Sequence, residues 1–132
     1  MATAVSSVPL GQKAANYVSK NRKMLINGKW VEAVSGKTFP TYNPATGEVL
    51  ARVAEGDRED IERAVKAARA AFETGPWSQM TPSERGRMIW KLGDLLEQNL
   101  EEFAELEMLD NGKPLKVARV ADVPLLVAQP AM

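Results

Sequence analysis

Apolar side chains change their spacing along this chain, from every second residue to every 3.6. Between Met24 and Ala54 they come in short runs separated by turn residues. Asn27-Gly28 lies between Met24-Leu25-Ile26 and Lys29-Trp30-Val31, the arrangement of a two-residue hairpin. Ser35-Gly36 predicts a second turn, and Asn43 to Glu48, "NPATGE", a third. The stretch "EVLARVA" alternates, which puts Val49, Ala51 and Val53 on one side of a strand. Helical spacing then takes over: Ile61, Ala64, Val65, Ala68 and Phe72 share one stripe. Asp57 is the expected N-cap, with Asp60 adding negative charge to the first turn. Glu59–Arg63 and Glu62–Lys66 stand at i,i+4 in the favourable order, each pair worth about 0.2–0.5 kcal/mol on a solvated face. Gly75 and Pro76 close the segment.

A second helix is announced by Thr81-Pro82-Ser83-Glu84, a capping box with proline at the first helical position. Its stripe is Met88, Ile89, Leu92, Leu95 and Leu96. Gly86 and Gly93 face one side, where close approach of another backbone would offset their helix cost of about 1 kcal/mol each. Asn99 predicts a new cap, and Phe103, Leu106 and Leu109 carry a third stripe to Asp110-Asn111-Gly112-Lys113-Pro114. Gly112 suits the positive φ just past a helix end, and Pro114 suits the start of the next helix. That helix runs through Val117, Val120 and Ala121 until Pro124 interrupts or kinks it. The apolar run Leu125 to Ala128 then reaches Met132 without a cap, which reads as a truncated tail that further chain would cover. The expected fold is α+β: N-terminal β-hairpins followed by three or four helices. Apolar faces left wet would make it marginally stable.

With 132 residues there is room for one core. Seventeen basic and seventeen acidic residues cancel, which argues against a general nucleic-acid binder. No apolar run approaches the roughly 20 residues of a membrane span. Cysteine and histidine are both absent, which removes thiolate nucleophiles, zinc–thiolate sites and the commonest general base. Residues 1–23 carry Lys13, Lys20, Arg22 and Lys23 and no acid, and read as a loose N-terminal arm. An organelle transit peptide is the alternative, without the amphipathic, Arg-rich pattern that would support it.

The sequence holds no phosphate-binding loop, nucleophile elbow or dinucleotide fingerprint. Ser83 reads as a capping-box residue rather than a nucleophile. Glu101, Glu102, Glu105, Glu107 and Asp110 read as a hydrated helix face rather than a metal site. Trp30, Trp77 and Trp90 read as core and interface packing. Composition and spacing alone thus describe a mostly helical chain with a β-rich start and no self-contained active site.

The order of these pieces carries more. "LINGKW", "TFPTYNPATGEVL", "VAEGDREDIERAVKAARAAFETGPW", "MTPSERGRMIWKLGDLLEQN" and "FAELEMLDNGKP" follow one another at close spacing. Over residues 24–123 this resembles the N-terminal part of the NAD(P)-dependent aldehyde dehydrogenases. The resemblance implies the first hairpins and helices of an α/β enzyme. A Rossmann-type domain for NAD or NADP, a catalytic domain and an oligomerisation arm would follow. Such enzymes oxidise an aldehyde to an acid through a cysteine thiohemiacetal and a thioester, and a glutamate activates the deacylating water.

Neither a catalytic nor a cofactor-binding residue of that family falls within this chain, so the fragment alone is expected to be inactive. The resemblance does place a monovalent cation at Asp110 and the Tyr42 carbonyl, and the aldehyde tunnel near Ala121 and Leu125. Residues 124–132, "PLLVAQPAM", depart from the usual aromatic-rich continuation and form a divergent tail. A homo-oligomer in the cytoplasm is implied for the full-length relative, with an organelle matrix as the other location. The alternative function is an interaction module that packs with aldehyde dehydrogenase subunits or a split C-terminal half.

Overall fold

The computed structural model describes residues 9–128. Its β structure is two antiparallel hairpins. In the first, β1 (Met24–Ile26) pairs with β2 (Lys29–Val31). Asn27 and Gly28 take φ of 51° and 71°, the double positive φ of a turn whose twist matches the strands. In the second, β3 (Thr38–Tyr42) pairs with β4 (Val49–Ala54). The Asn43 side chain accepts from the Ala45 amide at 2.9 Å, and the Asn43 amide donates to the Glu48 carbonyl at 2.9 Å, which closes the predicted turn.

One feature of this hairpin departs from simple alternation. Thr41 faces Ala51 but Tyr42 faces Val49, so Leu50 is an extra residue. The irregularity leaves Leu50, Ala51 and Val53 half-buried and turns Val49 out to solvent, so Val49 leaves the face expected for it.

The first helix, α1 (Gln12–Val18), lies where a loose arm was expected. Ala14 is fully buried, and α1 packs on the helix Leu100–Asn111. Arg22 continues the order: its amide donates to the Arg52 carbonyl at 2.7 Å, and its carbonyl accepts from the Ala54 amide at 2.9 Å. The arm reading fails for residues 12–22 because their partners lie far away in sequence. Residues 1–8 lie outside the described part.

Two helices of seventeen residues follow: α2 (Arg58–Thr74) and α4 (Pro82–Gln98), joined through the single turn α3 (Pro76–Gln79). Both start at capping boxes, Asp57 with Asp60 and Thr81 with Glu84. The expected pairs Glu59–Arg63 and Glu62–Lys66 are not among those formed by the described residues. Arg58 reaches Glu62 at 2.9 Å, Arg63 reaches Asp60 at 3.4 Å and Arg69 reaches Glu73 at 3.6 Å. Arg63 turns to Asp60 because a buried carboxylate attracts a cation more strongly than an exposed one. On α4, Gly93 is buried, whereas a Cβ on Gly86 would meet open space. Close packing therefore accounts for one of the two glycines.

The last elements are α5 (Leu100–Asn111), the short α6 (Leu115–Val117), a π-helical turn (Ala118–Asp122) and α7 (Val123–Ala128). The π turn explains how the helix passes Pro124. A proline ring clashes with the carbonyl four residues back, Val120, and that residue lies in the widened turn. Pro124 is thus carried within a helical run rather than ending it. The core is small: Ala104, Ala118 and Val123, with Leu100 and Leu115 packed against them. The α+β architecture of hairpins followed by helices is the one the pattern predicts.

Candidate functional site

The Asp110-to-Pro114 turn and the Asn43-Pro44 turn meet in space. Gly112 ends α5 with φ of 75°, and its amide donates to the Met108 carbonyl at 3.0 Å. A Cβ on Gly112 would stand 2.8 Å from Cγ of Pro44. Glycine is needed here twice, for its φ and for this approach. The contact brings together the two motifs that carry Asp110 and Tyr42.

Asp110 is exposed in the last turn of α5, where free carbonyls already concentrate negative charge. An acid at that end is unfavourable unless a cation compensates it. Tyr42 is exposed at the end of β3. Among the described residues, no group of three or more Asp, Glu, His or Cys side chains converges as metal ligands.

Asp110 also lines a cavity of about 420 Å³ between α1, the second hairpin and α5. Its walls are mainly apolar, with Phe39, Leu50, Val53 and Phe103 among them. Arg22 stands at its edge with its guanidinium 4.2 Å from the Tyr17 ring centroid. The cavity can bury apolar surface, but no thiol or imidazole faces it to act as nucleophile or base.

Leu125 is exposed and lines a second cavity of about 320 Å³ with Phe103, Lys113, Asp122 and Leu126. Ala121 is half-buried in the π turn and is not among the residues lining that cavity. Lys113 bridges this region. Its ammonium lies 3.2 Å from Asp122 and 3.4 Å from Glu107. The hydrogen bond to Asp122 holds its pKa above the ordinary lysine value, with Glu107 adding to the effect against a smaller opposing effect of burial.

Two carboxylates expected to be solvated, Asp60 in the first turn of α2 and Glu105 on the hydrated face of α5, are buried instead, because each meets a backbone amide from a distant part of the chain. Asp60 is 2% exposed and accepts from the Val34 amide at 3.1 Å and the Asp57 amide at 3.3 Å. Glu105, also buried, accepts from the Gly11 amide. Both are structural ties: Asp60 also takes the Arg63 guanidinium at 3.4 Å, and the two Glu105 oxygens share the one Gly11 amide. Their only signal in the sequence is an acid close to an apolar stripe.

A dinucleotide needs free amides at a strand-to-helix turn for its pyrophosphate. The turn from β4 into α2 is of that type, but Asp57 and Asp60 carboxylates already occupy its amides. The start of α4 is likewise filled by Thr81 and Glu84. The starts of α2 and α4 therefore offer no free amides of that kind.

The hairpins, the capped helices and the Gly112–Pro44 contact together make an α+β arrangement. A family model described as "Aldehyde dehydrogenase family" matches residues 30–129, and the chain belongs to that family. Human mitochondrial aldehyde dehydrogenase is 52% identical over 106 residues, which are 80% of this chain and 20% of that one. Aldehyde dehydrogenase family 2 member B4, mitochondrial, of Arabidopsis thaliana is 55% identical over 103 residues, 78% of this chain and 19% of that one. A Bacillus cereus aldehyde dehydrogenase, solved in complex with NAD+, superposes with a TM-score of 0.90 at 51% identity, over 95% of this chain and 26% of that chain. The chain thus spans about a fifth to a quarter of the length of these relatives.

Proposed function

We propose that this chain forms the opening part of an enzyme that oxidises an aldehyde to a carboxylic acid with NAD or NADP. The observation that carries the reading is the match to the Bacillus cereus enzyme, close in both sequence and arrangement. The chain by itself does not turn over substrate. It has no cysteine to form the thiohemiacetal, and its helix N-termini at α2 and α4 are filled by its own caps. In the complete enzyme the Asp110 carboxylate and the Tyr42 carbonyl hold a monovalent cation at the negative end of α5. Ala121 and Leu125 lie toward the aldehyde tunnel. The complete enzyme is a homo-oligomer in the cytoplasm or, as the names of several relatives suggest, the mitochondrion. No helix among the described residues is long and apolar enough to cross a membrane.

The test is direct. Purified chain incubated with NAD+ or NADP+ and a panel of aliphatic and aromatic aldehydes is expected to form no reduced nicotinamide. Sustained formation that follows this protein through purification would overturn the inactive-alone reading. For the cation, titration with potassium or sodium should perturb the NMR signals of Asp110 and Asn43 together. Unmoved signals at both would remove that assignment.

A further inference from the structure

The dipeptide Asn-Gly occurs twice, at 27–28 and at 111–112, and the fold holds the two copies differently. All four residues are exposed, so exposure does not separate them. Asn27 and Gly28 form the turn of the first hairpin, with φ of 51° and 71°. Among the described residues, neither the Asn27 side chain nor the Gly28 amide has a hydrogen-bond partner. A Cβ at Gly28 would meet nothing within 4 Å. The turn closes a ribbon of two three-residue strands, which joins no third strand among the described residues. A ribbon of that size is marginal and opens locally.

The second copy is tied at both reacting groups. The Asn111 side-chain amide donates to the Glu107 carboxylate at 3.1 Å. The Gly112 amide donates to the Met108 carbonyl at 3.0 Å, and Pro44 lies against Gly112. Freeing this pair means unwinding the last turn of α5 and parting it from Pro44.

An asparagine before a glycine carries its own reaction. The glycine amide nitrogen gives its proton to solvent base and attacks the asparagine Cγ. A new C–N bond closes a cyclic succinimide, the Cγ–Nδ2 bond breaks, and the nitrogen leaves as ammonia after taking a proton from solvent. Water then opens the ring, at the side-chain carbonyl to aspartate or at the main-chain carbonyl to isoaspartate. In total one water enters and one ammonia leaves, with no oxidant or second substrate. Glycine obstructs the attack least because it has no Cβ.

We propose that Asn27 is a site of spontaneous deamidation, and that the end of α5 protects Asn111 from the same reaction. Isoaspartate at position 27 routes the main chain through Cβ and leaves a carboxylate in the turn. The extra backbone atom breaks the pairing of Ile26 with Lys29 and loosens the first hairpin.

The test ages the full 132-residue chain in mildly alkaline buffer, with circular dichroism to follow its helices. Trypsin then places Asn27 in the fragment 24–29 and Asn111 in the fragment 92–116. Tandem mass spectrometry locates the gain of one mass unit, and chromatography separates the isoaspartate and aspartate forms. In the folded chain Asn27 should convert about tenfold or more faster than Asn111. In urea, where neither pair is held, the two should convert at similar rates. In the isoaspartate form hydrogen exchange should speed up across residues 24–31 and not in the second hairpin. The proposal falls if Asn27 stays intact in the folded chain over a period in which both pairs convert in urea. It also falls if Asn111 keeps pace with Asn27 in the folded chain, or if neither pair converts in urea. Unchanged exchange across residues 24–31 would overturn the effect on the hairpin.

Discussion

The amide of Gly11 donates to both carboxylate oxygens of Glu105, each at 3.0 Å, across 94 residues of chain. Gly11 is the N-cap of α1, so the carboxylate meets the positive end of the helix as well as a free amide. Nearby, Lys13 donates to the Asn99 side chain at 2.9 Å and lies 3.9 Å from Glu102. These ties hold α1 on α5 and so form one wall of the larger cavity. Glu105→Ala removes the acceptor from a part-buried amide and should cost about 1–3 kcal/mol. Hydrogen exchange should speed up across residues 12–18 and remain unchanged in α2. Equal protection of α1 in parent and variant would mean that the tie does not hold the helix.

Asp60 does for α2 what Glu105 does for α1. Its carboxylate joins the chain after β2 to the helix start by accepting from the Val34 and Asp57 amides. Asp60→Ala leaves both donors short of a partner and an uncovered space, and should destabilise by roughly 2–4 kcal/mol. Asp60→Asn keeps one acceptor oxygen and should lose less. Urea unfolding followed by circular dichroism checks the order, and equal midpoints for Asp60→Ala and the parent would contradict it.

Gly112 and Gly28 separate two causes of glycine dependence. Both have φ just above 70°, 75° and 71°, where a Cβ costs roughly 1–2 kcal/mol. A Cβ at position 28 meets nothing within 4 Å, whereas one at 112 meets Pro44 at 2.8 Å. Gly112→Ala should therefore destabilise more than Gly28→Ala. Pro44→Ala should narrow that gap if the contact is its source. Thermal melts of the parent, the three single variants and the two Pro44→Ala double variants suffice, and equal losses for the two glycine variants would show that the Pro44 approach is readily relaxed.

Much of this was legible because it is local. Asn27-Gly28, the Asn43 turn and the Thr81–Glu84 box each act within a few residues, so spacing alone located them. The Gly112 stop was read as a helix end, and the structure adds Pro44 as its neighbour. What escaped was set by distant partners: α1 by Glu105, and the burial of Asp60 by Val34. Val49 was placed on the wrong face because alternation assumes an even register, and Leu50 breaks it. Spacing alone weighs Glu59 and Asp60 alike as partners of Arg63, while burial favours Asp60. The cation and tunnel residues came from resemblance rather than geometry. Asp110 lines the larger cavity and Leu125 the smaller one, which Ala121 does not line.

The Thr81–Glu84 box gives stability an acid dependence. The Thr81 amide donates to the Glu84 carboxylate at 2.8 Å and its hydroxyl adds a second bond at 2.8 Å. Chiefly through the amide, these hold the Glu84 pKa below its ordinary 4.5. A depressed folded value means that the contribution is complete above 4.5 and is lost as pH falls through the folded value. Glu84→Gln should reduce stability at neutral pH and flatten this part of the acid limb. Amide exchange in the first turn of α4 at pH 3 and pH 7 reads it. A parent and variant that differ equally at both values would exclude a role for Glu84 ionisation.

Lys113 sets the opposite limb. Its hydrogen bond to Asp122, supported by Glu107, raises its pKa above the ordinary 10.5. For a cation with a raised folded value, stability is fully present below 10.5 and is lost as pH climbs through the folded value. The lysine ties the stop after α5 to the π turn, so its loss should loosen the C-terminal helices first. Lys113→Met keeps much of the apolar stem but no charge. It should lower the melting temperature at pH 8 and remove the added loss as pH rises above 10.5. If the parent and Lys113→Met melt in parallel across that range, the Lys113–Asp122 pair contributes nothing to alkaline stability.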